Sequence, residues 1–98
     1  MGILSKLLGV PNKDKLKERL ENGALLLDVR TKEEFKAGHV KGSINIPLTE
    51  IPHEYRKLNK DNPIIAICES GVRSAQVVRF LNSKGFQSYN GGSWKSFR

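Results

Sequence analysis

The chain has 98 residues, with 38% hydrophobic and 28% charged side chains, a composition typical of a single globular domain. Its net charge of +7 comes from 17 basic residues spread along the whole chain, and aromatic side chains that would stack on bases amount to only 7%, so nucleic-acid binding is not expected. The single cysteine excludes an internal disulfide and an intramolecular dithiol cycle, and no metal or cofactor is indicated.

Residues 1–11 are interpreted as an N-terminal extension of a domain that occupies residues 12–98. Four apolar residues of the extension would share one face of a helix, which predicts packing against the domain, with a weak membrane contact as the alternative: Ile3, Leu4, Leu7 and Leu8. No apolar stretch reaches the length of a transmembrane helix, and no cleavable leader pattern is recognised. We therefore expect a cytoplasmic protein without stable membrane insertion.

The domain is predicted to begin with a helix and a buried strand. Residues 12–20 form the helix, which starts near Asn12 or Asp14 and stops at the following Asn-Gly pair. The continuous apolar run of residues 24–29 predicts a strand that is buried on both faces, as in a parallel sheet. Asp28 lies near the carboxyl end of this strand, where open α/β sheets place their functional sites.

Two short helices and a second strand are predicted next. Thr31 and Glu34 form a capping-box pattern at the start of a helix that Gly38 closes. Residues 43–46 form the second strand, and residues 49–58 form another short helix with a proline in its first turn.

The second half of the domain is predicted to contain two strands around a longer helix. Residues 64–67 form the third strand, and an amphipathic helix from about Ala75 is ended by Gly85. Three shorter features follow: a last strand over residues 86–89, a turn or close backbone approach over residues 90–92, and a helical turn capped by Ser93. The alternation predicts a three-layer α/β/α fold with a mainly parallel sheet of four or five strands.

A loop between the third strand and the next helix carries the candidate chemistry. Cys68 would act there as a nucleophile, because a helix N-terminus, loop amides and the guanidinium of Arg73 all lower the pKa of a thiol. Ser70 adds a hydroxyl that can hydrogen-bond sulfur, and Gly71 permits the backbone angles of an amide cradle. Glu69 opposes thiolate formation unless it points outward. The alternative is a buried structural cysteine.

His39 and His53 are the candidate general bases. Neither is adjacent to the loop in sequence, and His39 is interpreted as a turn residue that hydrogen-bonds the backbone. A thiolate that is already formed needs no such base.

Several motifs occur in order over residues 12–95. They are Leu27-Asp28-Val29-Arg30 with Glu34-Phe35, then Gly38-His39-Val40 with Gly42 to Pro47, then Cys68-x-x-Gly71-x-Arg73-Ser74, and finally Gly85-Phe86 with Gly91-Gly92-x-Trp94. On these residues the chain resembles a single-domain rhodanese, a module similar to thiosulfate sulfurtransferase. The first edge strand of that family is not evident before Asn12, so four strands are expected and a fifth stays open.

The resemblance implies that Cys68 takes a sulfane sulfur from thiosulfate or a persulfide donor, holds it as a persulfide and passes it to a thiol or cyanide. It also implies that Arg73 binds the anionic donor. Asp28 and Arg30 would fix the end of the sheet, Ser74 would support the loop, and Trp94 would pack. A protein could also serve as sulfur donor or acceptor. The persulfide would be cradled by the backbone amides of Glu69, Ser70, Gly71, Val72 and Arg73.

Two alternatives from other functional classes stay open. A binding or sulfur-relay module would use the loop to recognise a partner protein, with little turnover. A phosphatase or arsenate reductase is disfavoured, because four residues separate Cys68 from Arg73, one fewer than in the phosphate-binding loops that the family also contains. Glu69 beside the nucleophile also disfavours strong binding of free thiosulfate.

Overall fold

A parallel four-stranded sheet forms the centre of the molecule in the computed structural model, which describes residues 8–98. The strands are β1 (Leu25–Asp28), β2 (Ile44–Asn45), β3 (Ile64–Cys68) and β4 (Ser88–Ser93), arranged in the order β2-β1-β3-β4. All neighbouring pairs are parallel, as predicted. No fifth strand occurs within residues 8–98, and the predicted face of Ile3, Leu4 and Leu7 lies outside the described residues.

Residues 8–98 contain four helices, of which the first precedes the sheet and the other three connect its strands: α1 (Lys13–Glu21), α2 (Lys32–Ala37), α3 (Ile51–Glu54) and α4 (Val72–Ser83). The side chain of Asn12 caps α1 by accepting a hydrogen bond from the amide of Asp14, as the sequence predicted. The capping box of Thr31 and Glu34 at α2 is confirmed. Within residues 8–98, no helix combines the length and apolar content that crossing a membrane requires.

The single helix predicted over residues 49–58 is wrong in detail. The segment instead forms a 3-10 turn (Leu48–Glu50), the one-turn helix α3 and a second 3-10 turn (Tyr55–Lys57). Pro52 occupies the first turn of α3 and has no N–H to donate, so hydrogen bonding cannot continue from the preceding turn.

The sheet buries both of its faces, which produces three layers. Residues alternate along β1 and β3, so successive side chains enter opposite cores. One core lies beneath α3 and α4, and consists of Leu27, Val29, Ile51, Ile64, Ala66, Cys68, Val77, Leu81 and Phe86. The other lies beneath α1 and the C-terminal turn (Trp94–Ser96), and consists of Leu16, Leu26, Val40, Ile65, Ile67 and Trp94. The three-layer α/β/α prediction is confirmed.

Strand β4 begins later than predicted and continues through residues 90–92, so their interpretation as a turn is wrong. The alternative, a close backbone approach, is confirmed, because a Cβ on Gly91 would lie 2.7 Å from Cγ2 of Ile67. The pairing with β3 shifts at this point, since Ala66 pairs with Asn90 but Ile67 pairs with Gly92. Gly91 is therefore the extra residue of a bulge beside the end of β3.

Candidate functional site

The candidate site lies at the carboxyl end of β3, where Cys68 is the last residue of the strand and only 1% exposed. Helix α4 begins at Val72, three residues earlier than predicted, and Gly71 immediately precedes it. The φ angle of Gly71 is +103°, a backbone conformation that side-chain-bearing residues rarely adopt. Gly71 thus lets the chain turn directly from strand to helix, and its amide then faces the sulfur.

Two backbone amides and one hydroxyl surround the sulfur of Cys68. The amide of Gly71 donates to Sγ at 3.0 Å, the amide of Ser74 donates at 3.4 Å, and Oγ of Ser74 lies 3.5 Å from Sγ. Burial raises the pKa of the Cys68 thiol, but hydrogen bonds from Ser74, Gly71 and Ser70 outweigh it and hold the pKa below its ordinary value. The site therefore stabilises the thiolate more than water does for a free cysteine.

The structure changes the part that two serines take at the site. Ser70 is exposed, and it adds only the smallest of the contributions that lower the pKa of Cys68, through its backbone amide. The hydroxyl in contact with the sulfur belongs to the buried Ser74. Val72 is half exposed on the outer side of the loop. Of the predicted residues, Gly71 and Ser74 thus contact the sulfur directly, and Ser74 takes the place of Ser70 as the hydroxyl beside it.

Asn90 is a site residue that the sequence analysis missed. It is 3% exposed on β4 and hydrogen-bonds both Oγ of Ser74, at 2.7 Å, and the carbonyl of Gly71, at 3.0 Å. The same carboxamide accepts from the amide of Gly92 and donates to the carbonyl of Leu8. The available signal was a polar residue beside two glycines in a segment that must pair with the cysteine-bearing strand.

Arg73 does not point freely into the site. Its guanidinium forms a bidentate pair with Glu34, with Nη1–Oε1 at 2.7 Å and Nη2–Oε2 at 3.1 Å. The hydrogen bond from Arg73, followed by the one from the amide of Thr31, lowers the pKa of Glu34 to about 2. The pKa of Arg73 is raised, first by the bond to Glu34 and more weakly by the charge of Cys68. Sequence reasoning recognised Glu34 as a helix cap but not as the partner of Arg73.

Glu69 is turned away from the sulfur. Its Oε1 accepts a hydrogen bond from Nε1 of Trp94 at 3.1 Å, and its Oε2 lies 3.1 Å from Nζ of Lys95. The bond from Lys95, followed by the one from Trp94, lowers the pKa of Glu69. The side chain is 49% exposed, so its negative charge is shared between Lys95 and water rather than directed at Cys68.

Asp28 and Arg30 form a buried ion pair at the adjacent strand end. The guanidinium donates from Nε to both carboxylate oxygens at 3.0 Å and from Nη2 to Oδ2 at 2.8 Å. Nη2 also donates to the carbonyl of Gly38, and the guanidinium stacks on the ring of Trp94 at 4.2 Å. The pair therefore joins the end of β1 to the turn after α2 and to the C-terminal turn.

The histidines lie apart from these contacts. His39 stacks on Phe35 and its Nδ1 lies 2.8 Å from the Phe35 carbonyl, which confirms its interpretation as a turn residue bonded to the backbone. His53 is exposed on α3. Among residues 8–98, no three His, Cys, Asp or Glu side chains come together as a metal site.

The comparisons with known proteins agree with one another on the family of this chain. The model of the rhodanese-like domain matches residues 12–97. A sulfurtransferase of Allochromatium vinosum is 31% identical over 74% of this chain and 70% of its own length. The thiosulfate sulfurtransferase GlpE of Pseudomonas putida is 28% identical over 91% of this chain and 84% of its own. The chain spans only 34% and 49% of two other curated relatives.

Solved structures agree with these matches. The crystal structure of a rhodanese-related protein from Thermoplasma volcanium superimposes with a TM-score of 0.79 at 32% sequence identity. The match covers 90% of this chain and 88% of that one.

Proposed function

Since the chain belongs to the family of rhodanese-like domains, we propose that it is a sulfurtransferase that carries sulfane sulfur as a persulfide on Cys68. The observation that carries this proposal is the cradle at the end of β3, where the amides of Gly71 and Ser74 both donate to the sulfur. Such donors stabilise a negatively charged sulfur, which is required of both the attacking thiolate and the resulting persulfide anion.

The proposed reaction has two displacement steps. In the first, the Cys68 thiolate attacks the outer sulfur of thiosulfate, the S–S bond of thiosulfate breaks, and sulfite leaves with the bonding electron pair. In the second, a thiolate or cyanide attacks the outer sulfur of the Cys68 persulfide, and the Cys68 thiolate leaves. The product is a new persulfide or thiocyanate. A lowered pKa of Cys68 assists the second step, because a less basic thiolate is a better leaving group.

The remaining residues of the loop have supporting parts in this proposal. The backbone amides of residues 69–73 would surround the transferred sulfur. Cys68 would be the only residue whose side chain is modified covalently. Arg73 has N–H groups beyond the two that bind Glu34, and these would hold an anionic donor. Asp28 and Arg30 would act at a distance, by fixing the sheet end against Trp94.

A second candidate function, a slow sulfur-relay module served by a protein donor, is favoured by one observation. The carboxylates of Glu34 and Glu69 both lie at the loop, and Glu34 already occupies the guanidinium that would bind a small dianion. A protein persulfide carries less charge at its reacting group than thiosulfate does, so these carboxylates would oppose it less. We also propose a cytoplasmic location, where reduced thiol acceptors are abundant.

Mass spectrometry of the intact protein tests the persulfide directly. After incubation with thiosulfate or a small-molecule persulfide we expect an added mass of one sulfur atom, which cyanide removes as thiocyanate. Cys68→Ser should lose both the adduct and the thiocyanate, and prior alkylation of the wild type should block them. If no sulfane donor produces an adduct, the proposal is wrong.

Two other outcomes would favour the alternative functions. Slow labelling by thiosulfate together with fast exchange from a protein persulfide would favour the sulfur-relay module. Robust hydrolysis of an aryl phosphate would favour a phosphatase.

A further inference from the structure

The carboxamide of Asn90 uses its whole hydrogen-bonding capacity around the sulfur-bearing loop. An asparagine side chain has two N–H donors and two acceptor positions on its oxygen. Here Nδ2 donates to the carbonyls of Leu8 and Gly71, each at 3.0 Å. Oδ1 accepts from Oγ of Ser74 at 2.7 Å and from the amide of Gly92 at 2.9 Å. The two carbonyls can only accept, so the orientation of the carboxamide is fixed by its partners.

This orientation determines where the proton of Ser74 lies. A hydroxyl has one proton, and the short contact to the acceptor Oδ1 of Asn90 assigns that proton to this bond. Toward Cys68, at 3.5 Å, Ser74 therefore presents lone pairs, which accept the S–H of the neutral thiol. When the thiol ionises, the hydroxyl can turn its proton to the sulfur, and Oδ1 of Asn90 still keeps the amide of Gly92. The hydroxyl thus has two orientations that match the two protonation states of the sulfur.

The other half of the carboxamide holds the loop itself. Gly71 contributes the amide that lies 3.0 Å from the sulfur, and its carbonyl is tied to Asn90 on the neighbouring strand. Asn90 can reach both Gly71 and Ser74 because β4 runs beside β3 and carries its bulge at this level. The loop geometry is therefore fixed across the sheet as well as along the chain.

We propose that Asn90 is a positioning residue for Cys68, which holds the Gly71 amide on the sulfur and sets the resting orientation of the Ser74 hydroxyl. Its effect on sulfur transfer rests on the proposed function, but its effect on the thiol does not. None of the four hydrogen bonds of Asn90 involves a charged side chain near the loop. Substitution of Asn90 therefore leaves the three ion pairs of that region in place. They are Glu34–Arg73, Glu69–Lys95 and Asp28–Arg30.

The test measures the pKa of Cys68 from the pH dependence of its alkylation by iodoacetamide, which labels the only thiol of the chain. Asn90→Ala is expected to raise this pKa by about half to one unit, because the Gly71 amide loses its fixed position. The freed Ser74 hydroxyl offsets part of that rise, so the same substitution should raise the pKa further in a Ser74→Ala background. Asn90→Asp keeps both acceptor contacts but loses both donor contacts and adds a charge, and should raise the pKa most.

Asn82 supplies a matched control at the opposite end of the same elements. Oδ1 of Asn82 accepts hydrogen bonds from the amide and the hydroxyl of Ser88. This Asn–Ser pair joins α4 to β4, as the pair of Asn90 and Ser74 does. Asn82→Ala and Asn82→Asp should therefore change stability without changing the pKa of Cys68. The proposal is overturned if Asn90→Ala leaves the pKa unchanged in both backgrounds, or if only the Asp variant shifts it, which would indicate charge alone. If Asn90→Ala does not fold, Asn90→Ser takes its place with the same expected direction. Absence of persulfide in the wild type would refute the proposed function and leave this measurement valid.

Discussion

The ion pair between Glu34 and Arg73 should stabilise the fold in a pH-dependent way. The pKa of Glu34 falls from 4.5 to about 2, mainly through the hydrogen bond from Arg73. If the whole pKa shift were converted into free energy of unfolding, it would give about 3 kcal/mol. However, the side chain of Glu34 is 36% exposed and that of Arg73 is 32% exposed, so solvent screening reduces the expected contribution to about 1 kcal/mol. Glu34→Gln should therefore lower the free energy of unfolding by about 1 kcal/mol at pH 7. Glutamine preserves the capping box with Thr31, which isolates the charge.

The stabilisation by this ion pair should be lost at low pH. The folded-state pKa of Glu34 lies below the unfolded-state value, so the stabilisation is complete above about pH 4.5 and is lost as the pH falls toward about 2. Urea unfolding followed by the fluorescence of Trp94, the only tryptophan, should show wild type and Glu34→Gln separated at pH 7 and converging near pH 2. Glu33→Gln is the control, because Glu33 is exposed on the same helix and loses the same charge. Equal effects of the two substitutions, or a difference that persists at low pH, would refute the reasoning.

Two further predictions concern the bulge and the acidic residue of the loop. Gly91→Ala should lower the free energy of unfolding by about 1–3 kcal/mol in urea titrations, because the new Cβ would lie within 2.8 Å of methyl groups of both Ile65 and Ile67; an unchanged midpoint would contradict this. Glu69→Gln should lower KM for thiosulfate in the proposed reaction about two- to threefold at low ionic strength by removing one negative charge from the loop, and added salt should reduce the difference. An effect that does not depend on salt would show that the charge is not its cause.

The parts of the fold that the sequence predicted correctly depend on local information. The apolar runs that became β1 and β3 are bounded by clear stop signals, and their lack of alternation indicated burial on both faces. The caps at Asn12 and Thr31 were recognised because each cap contacts residues only two or three positions away. The position of Cys68 at a strand end followed from the same reasoning.

The parts that the sequence did not predict depend on contacts between distant segments. Residues 90–92 are of types that favour turns. They form a strand because position 91 packs so closely against the β3 side chains that only a glycine fits there. A local sequence pattern cannot reveal such a contact. Arg73 meets a partner 39 residues away, and Asn90 meets Leu8 at a separation of 82 residues. The early start of α4 depends on the positive φ of Gly71, which is itself secured by Asn90.

The pairing of charges around the loop explains how an acidic residue can stand next to Cys68 while the pKa of its thiol is lowered. Glu69 is matched by Lys95, Glu34 by Arg73, and the buried Asp28 by Arg30. Formal charges near the sulfur therefore largely cancel, and the groups that remain directed at it are the backbone amides of Gly71 and Ser74. Amides act on a thiolate only at hydrogen-bond distance and with correct alignment. It follows that the ionisation of Cys68 should depend more on the backbone geometry that Gly71 and Asn90 maintain than on the net charge of the surface.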